Sequence, residues 1–465
     1  MRTQVFIRRS RVEAPAEEVF RWHTRPGALE RLTPPWEPVR IVERQGGVDD
    51  GGRVVLAIKV GPLRRRWVAE HHGYEAGRQF RDRQIEGPFA FWDHTHRVEP
   101  DGPDACHLED RVEYALPLGA VGRLLGGRSV RARLDRVFAY RHRTMIEDLD
   151  AHRRHRVRGS LHVLVSGASG LIGSALVPFL TTGGHRVTRL VRSPPAGEGA
   201  VFWDPAARRL DPAALEGADA VVHLAGEPIA RGRWTDAKKA RIRDSRIQGT
   251  ELLAEALARL DRPPRVLVSA SAVGYYGDRG AELLRETSPP GTGFLAGVCR
   301  DWEAATRAAA AKGIRVATLR FGIVLSPAGG ALARMLPPFR LGVGGRIGGG
   351  RQYMSWIAVD DAVGAIHHAL MTDDLEGPVN VVAPQAVTNR EFTRTLGRVL
   401  RRPTIFPVPA FAARLAFGEL ADALLLASAR VEPARLLAAG YRFRHPDLED
   451  ALRHLLGRPA RGAVL

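Results

Sequence analysis

The stretch that most restricts the fold of this 465-residue chain is an apolar strand, His162–Ser166, that runs straight into Gly167, Ala168, Ser169, Gly170, Leu171, Ile172 and Gly173. A helical pattern (174–181) and a second strand (185–191) follow. A strand, a glycine-rich turn, a helix and a strand within thirty-odd residues is the opening unit of a doubly wound parallel α/β sheet. Glycines allow the tight turn and a close backbone approach. The helix N-terminus then offers unpaired N–H groups and the positive end of its dipole to a pyrophosphate. The second strand ends in Arg189, Leu190, Val191, Arg192 and Ser193, with no Asp or Glu to accept from ribose hydroxyls. Arg192 is placed to pair with a 2′-phosphate, so the cofactor expected is NADP(H) rather than NAD(H).

The chain is too long for one small module, and 45% apolar with 26% charged residues is the balance of an ordinary core-forming protein. The formal charge is +18, but only four of the 69 basic residues are lysines. The arginines are scattered and accompany heavy Ala, Gly and Pro usage, which a GC-rich coding bias explains, so no nucleic-acid partner is expected. Cys106 and Cys299 cannot build a disulfide framework and lack metal-ligand spacing. No run reaches the length of a membrane helix, because Arg414, Glu419 and Asp422 break the most apolar late segment, 410–429. No membrane insertion and a cytoplasmic location are expected, and oligomeric state is not legible.

A basic stretch, 153–160, with Arg153, Arg154, Arg156 and Arg158 before Gly159, divides the chain. Upstream, Gln4–Val12 reads as a strand and 15–32 as helical. Arg53–Val60, 66–72, 92–98 and 107–116 read as β-like runs. From Val130, apolar residues at helical spacing (Leu134, Val137, Phe138, Met145, Ile146, Leu149) predict an amphipathic helix of five or six turns. A strand, short helices, a run of strands and a long closing helix resemble the helix-grip fold of the START-like, polyketide-cyclase/dehydrase superfamily, over about residues 3–151. The resemblance implies an apolar ligand held between sheet and helix. Trp22, Trp36, Trp67, Phe89, Phe91 and Trp92 suit such a pocket and equally suit a plain core. His94 and His96 share one strand face with His71 and His72 nearby, but no carboxylate or cysteine converges with them by sequence. No metal site is expected.

From residue 161 onward the chain resembles the extended branch of the short-chain dehydrogenase/reductase superfamily, within its epimerase-like family. The glycine turn carries the likeness, with 219–227 and its end Leu224, Ala225, Gly226 and Glu227, then 245–253, and Ser269 to Asp278. Residues 319–325, the glycine-rich 341–354 and Trp356 to Asp361 also fit, and the piece after about Pro384 is similar to the family's small terminal domain of unknown function. The division expected is 1–152, a linker at 153–160, a nucleotide-binding domain at 161–383 and a substrate lobe at 384–465. A short tether would hold the two halves at high mutual concentration.

The resemblance implies hydride transfer at nicotinamide, with a Tyr-x-x-x-Lys pair and a Ser handling the proton and the carbonyl. Ser271 matches that Ser, and Ser269 lies near the cofactor. Between Gly277 and Trp302, however, there is neither Tyr nor Lys. Arg246 stands where the family has Asn. Tyr275 and Tyr276 are the candidate substitute acids, with Lys239 or Arg246 as the cation beside them, and pocket lining is their plainer role. The substrate, a small organic molecule, is expected against Met335, Pro337, Phe339, Arg351, Tyr353 and Trp356. Asp360 and Asp361 open a helix and are read as capping it. Two functions stay open: an NADP(H)-dependent oxidoreductase or epimerase-like enzyme, or an NADP(H)-binding sensor or carrier without turnover.

Overall fold

The structure is a computed structural model that describes residues 3–60, 63–194, 197–230 and 232–459. In the first part, Arg40–Gln45, Arg53–Val60, Leu63–Glu75, Gln79–Glu86, Phe91–Pro100 and Cys106–Ala115 form an antiparallel meander. Gln4–Val12 closes it by pairing with Cys106–Ala115. Alternation sets which face is buried: in Phe91–Pro100, Trp92, His94, His96 and Val98 point inward, and the residues between them are more exposed. The predicted helical segment 15–32 is two helices, Ala16–Thr24 and Ala28–Leu32, separated at Gly27, whose φ of +95° few side chains tolerate.

The closing helix is longer than the sequence pattern suggested, Gly119–Arg153, 35 residues. Its first turns carry no core stripe, and Leu118, Val121, Leu124 and Leu125 around them are exposed, so periodicity registers only from Val130. Inside, Trp67, Phe89 and Trp92 pack on one another with ring centroids 4.9–5.7 Å apart, and Phe6 lies 5.1 Å from Phe138. These rings fill the core. The expectation that no carboxylate joins the histidines fails, because strand register brings Asp82 opposite His94 and Asp110 opposite His96.

The second part holds an eight-stranded sheet. Its parallel order runs Ala200–Asp204, Arg186–Val191, His162–Ser166, Ala220–His223, Val266–Ala272, Arg315–Phe321, Gly377–Val381, with the short Arg209–Leu210 antiparallel at one edge. Neighbouring residues of His162–Ser166 feed opposite cores: Val163 and Val165 meet Leu176, Phe179 and Ile366, and Leu164 meets Leu253 and Leu257. This is the near-continuous apolar strand of a sheet covered on both faces. A further core unites Phe339, Trp356, Phe392, Leu396, Leu452 and Leu455.

The two parts are docked, not loosely tethered. Arg31 donates twice to Asp148 at 2.7 Å and once to Asp360 at 3.0 Å. Arg444 donates to Asp148 at 2.8 Å, and Tyr140 stacks on His454 at 5.1 Å. A Cβ on Gly27 would stand 2.7 Å from Pro178 Cα, so that glycine permits the contact. Asp360 and Asp361 do open the helix Val359–Met371, but their partners lie elsewhere. Asp360 faces Arg31 and His454, while Asp361 accepts from the backbone N–H groups of Arg444 and His445 and from the Tyr441 hydroxyl.

Candidate functional site

The strand order places His162–Ser166 between Arg186–Val191 and Ala220–His223. Connections leave this strand to opposite sides, which opens a crevice at the carboxyl ends. The glycine turn sits in it. Gly167, at φ +69°, runs so close to the neighbouring strand end that a Cβ would stand 2.7 Å from Leu224 C and 2.8 Å from Ala225 N. A Cβ on Gly173 would stand 2.3 Å from Gly167 O and 2.7 Å from Ala168 Cα. Only glycine fits either place, and the helix Gly173–Thr182 begins there with Ser169 and Gly170 exposed. The cradle therefore has the open helix N-terminus and close backbone that a pyrophosphate requires.

Around the cradle, Leu224 N–H donates to Ser166 Oγ at 3.2 Å, and Ser166 Oγ lies 2.7 Å from His223 Nδ1. Burial pushes His223 down to about 4, so it stays a neutral hydrogen-bonding group. Glu227 pairs with Lys238, whose hydrogen bond lowers the carboxyl. Arg246, which replaces the family's Asn, donates to Glu227 O at 3.1 Å and lies 5.0 Å over the Trp302 ring. Arg192 is exposed just beyond its strand, and its charge reaches Glu227. Ser269 is buried, its Oγ without a hydrogen-bond partner.

One strand further, the site departs from the family pattern. Ser271 Oγ donates to Glu303 Oε1 at 2.7 Å. Arg320 grips the same carboxylate with Nε and Nη2, both at 2.8 Å, the bidentate fork that fixes geometry as well as charge. Arg320 Nη1 donates to the Tyr276 hydroxyl at 3.0 Å, which donates in turn to Asn380 Oδ1 at 2.7 Å. The Arg320 guanidinium carbon sits 3.5 Å over the Tyr275 ring. Burial works against the Arg320 charge, but the Glu303 hydrogen bonds outweigh it and raise its pKa. Tyr276 is fully buried, and burial pushes its phenol up against the pull of Arg320.

The cation beside the tyrosines is thus Arg320. Lys239 instead pairs with Glu419 and lies 5.2 Å over Phe294. On the helix Phe294–Ala304, Cys299 and Glu303 hold the spacing of the absent Tyr-x-x-x-Lys pair. Burial pushes the Cys299 thiol up to about 12, which leaves it inert. Arg320, Glu303 and Asn380 come from three separate elements.

The expected substrate residues scatter. Met335 and Tyr353 are half-buried, Arg351 and Pro337 are exposed, and Phe339 and Trp356 belong to the C-terminal core. Trp356 Nε1 donates to Gln385 O at 3.1 Å, and Arg430 lies 5.3 Å over the Tyr353 ring.

A parallel sheet with a glycine cradle at its switch point, followed by a serine at the fifth strand end, defines a nucleotide-binding fold of the short-chain dehydrogenase/reductase type. Residues 163–382 match the NAD dependent epimerase/dehydratase family, 12–138 match polyketide cyclase / dehydrase and lipid transport, and 408–455 match a domain of unknown function, DUF1731. The epimerase family protein Mb2239 of Mycobacterium bovis is 48% identical over 297 residues, 64% of this chain and 98% of its own length. The chain belongs to this epimerase family. A Corynebacterium glutamicum structure described as a nucleoside-diphosphate sugar epimerase is 36% identical with a TM-score of 0.80, over 97% of this chain and 90% of that one. The human epimerase family protein SDR39U1, solved with NADPH, is 37% identical with a TM-score of 0.59, over 64% of this chain and 99% of that one. Among the described residues no helix is long and apolar enough to cross a membrane.

Proposed function

We propose that the protein is an NADP(H)-dependent oxidoreductase or epimerase-like enzyme acting on a small organic substrate. The observation that carries this is the Gly167–Gly173 cradle, where neither Gly167 nor Gly173 has room for a Cβ, with Arg192 and no acid at the next strand end. The residues fit the cofactor: the cradle receives the pyrophosphate, Leu224 and Ala225 line its other side, and Arg192 meets a 2′-phosphate. The NADPH found with the 37% identical human relative supports the choice. Bound there, the nicotinamide supplies hydride transfer.

The chain's own groups handle the proton. Ser271 relays the proton: in the oxidative direction it takes a proton from the substrate oxygen as its own hydroxyl proton passes to the Glu303 carboxylate, and in the reductive direction the proton returns from Glu303 through Ser271 to the substrate oxygen. Arg320 keeps Glu303 aligned, and Tyr275 forms a wall under Arg320. Tyr276 is taken out of the chemistry by burial between Asn380 and Arg320. That same lock favours the second reading, a protein that binds NADP(H) without turnover, because it removes one candidate acid. The test is titration with NADPH and NADH followed by nicotinamide fluorescence, on wild type and Arg192→Ala. Loss of a charged phosphate contact of about 1.5–3 kcal/mol weakens NADPH roughly 10- to 100-fold and leaves NADH unchanged. Equal binding of both nucleotides to both proteins would overturn the NADP assignment.

A further inference from the structure

The inner face of the N-terminal sheet carries a buried His/Asp cluster that the nucleotide site does not use. Register lines up His71, Asp82 and His94 on three successive strands, and in the next row Phe80, His96 and Asp110. His94 and His96 each turn one nitrogen toward Asp82 and the other toward Asp110. On the Asp82 side, His94 Nδ1 lies 3.0 Å and His96 Nε2 3.6 Å from Asp82 Oδ2. On the far side, His94 Nε2 lies 2.9 Å and His96 Nδ1 2.7 Å from Asp110 Oδ1. Asp110 is held in turn by His142 Nε2 at 2.7 Å, and His142 Nδ1 lies 2.8 Å from Ser10 Oγ.

We propose that Asp82, His94 and His96 form a divalent transition-metal site of the zinc class in the N-terminal domain, with Asp110 orienting both imidazoles from behind. Three observations carry this. The donor set, two imidazoles and a carboxylate, is that of three-ligand zinc sites. Tetrahedral ligands bound at about 2.0–2.1 Å stand roughly 3.3 Å apart, and the 3.0 and 3.6 Å separations across Asp82 bracket that value. A carboxylate behind a ligating histidine is the usual outer support of such centres, since it fixes the ring and the tautomer.

His96 also has an unpartnered nitrogen. His96 is 8% exposed, yet its Nδ1 makes no aligned hydrogen bond despite the short approach to Asp110. An interior imidazole without such a bond is costly, and a cation at Nε2 leaves Nδ1 as the protonated nitrogen, facing Asp110. His71 stands across from Asp82 in the neighbouring strand, and its Nδ1 is buried without a hydrogen-bond partner. It lies outside the set whose ligand atoms come within 4.8 Å of one another, so the fourth position falls to water or an oxygen ligand. A second group, Asp360, His445 and His454, has comparable spacing. There His454 and Asp360 already serve the contact between domains, and His445 is paired with Asp450 at 2.8 Å.

The test uses the full chain, stripped with a chelator and titrated with Zn(II) by calorimetry, in wild type, Asp82→Asn, His96→Gln and His454→Gln. One equivalent binding at sub-micromolar Kd is expected, weakened at least 100-fold by Asp82→Asn and by His96→Gln and unchanged by His454→Gln. No binding, or loss only in His454→Gln, would overturn the proposal. Co(II) loaded into the wild type supplies a readout that needs no variant. Intense visible bands of a four-coordinate nitrogen–oxygen site are expected, and the weak spectrum of a hexa-aqua-like ion would contradict it.

Discussion

Arg31→Met tests whether the two domains are joined as described. Arg31, Asp148 and Asp360 are 5%, 0% and 3% exposed, so the three charges have little water to fall back on. The substitution keeps the length of the side chain and removes two hydrogen bonds to Asp148 and one to Asp360. Asp148 retains Arg444 at 2.8 Å, whereas Asp360 keeps only His454 at 3.3 Å. Breaking a buried ion pair on one side costs about 3–5 kcal/mol, and the surviving Arg444 contact places the expected loss at the lower end, about 3 kcal/mol. With an m-value of about 3 kcal/mol per M urea, the midpoint falls by roughly 1 M. The assay is urea unfolding followed by tryptophan fluorescence. Asp360→Asn and the double variant complete a cycle that isolates the pair. A loss under about 1 kcal/mol, the value of a solvated pair, would refute the buried docking.

Further expectations concern pH, the cradle and the serine network. Burial holds His152 down to about 3 and His185 to about 4, from 6.5, where the long helix meets the second domain. Asp148 opposes the shift of His152, while Arg444 and Arg31 add to it. A neutral histidine with a lowered folded pKa stabilises fully above 6.5 and loses that contribution as pH falls toward 4. Each contributes a loss of about 1.4 kcal/mol per pH unit, so thermal scans between pH 7 and 5 should show a steep fall that His152→Gln reduces. Gly173→Ala should abolish NADPH binding in the fluorescence titration, because its Cβ meets backbone and not a movable side chain. Glu303→Gln leaves buried Arg320 short of charge and should cost about 3 kcal/mol, read as a lowered Tm. Ser271→Ala should leave Tm nearly unchanged and remove turnover.

What the sequence disclosed was whatever local pattern encodes. Gln4–Val12, Arg53–Val60 and His162–Ser166 are strands with the bounds that apolar runs suggest. Gln79–Glu86 went unmarked, since only Phe80 is buried in a strand otherwise full of charge. The glycine cradle was legible because one contiguous segment builds it. Ser271 was legible by likeness, but its partners Glu303 and Arg320 lie 32 and 49 positions on, 303 − 271 and 320 − 271, and only the packing of a helix on two strands joins them. Likewise, Asp82 and Asp110 reach the histidines through cross-strand register, which a one-residue slip would undo. The contact between domains, built from Arg31, Asp148, Asp360 and Arg444, has no local signature.

The most direct measurement of the central claim is backbone amide exchange of the full chain with and without NADPH. Protection is expected at residues 166–176, where the pyrophosphate meets the helix N-terminus, and at 190–194 beside Arg192. Protection confined to the N-terminal sheet, or none at 166–176 at saturating NADPH, would contradict the assignment of the glycine cradle as the cofactor site.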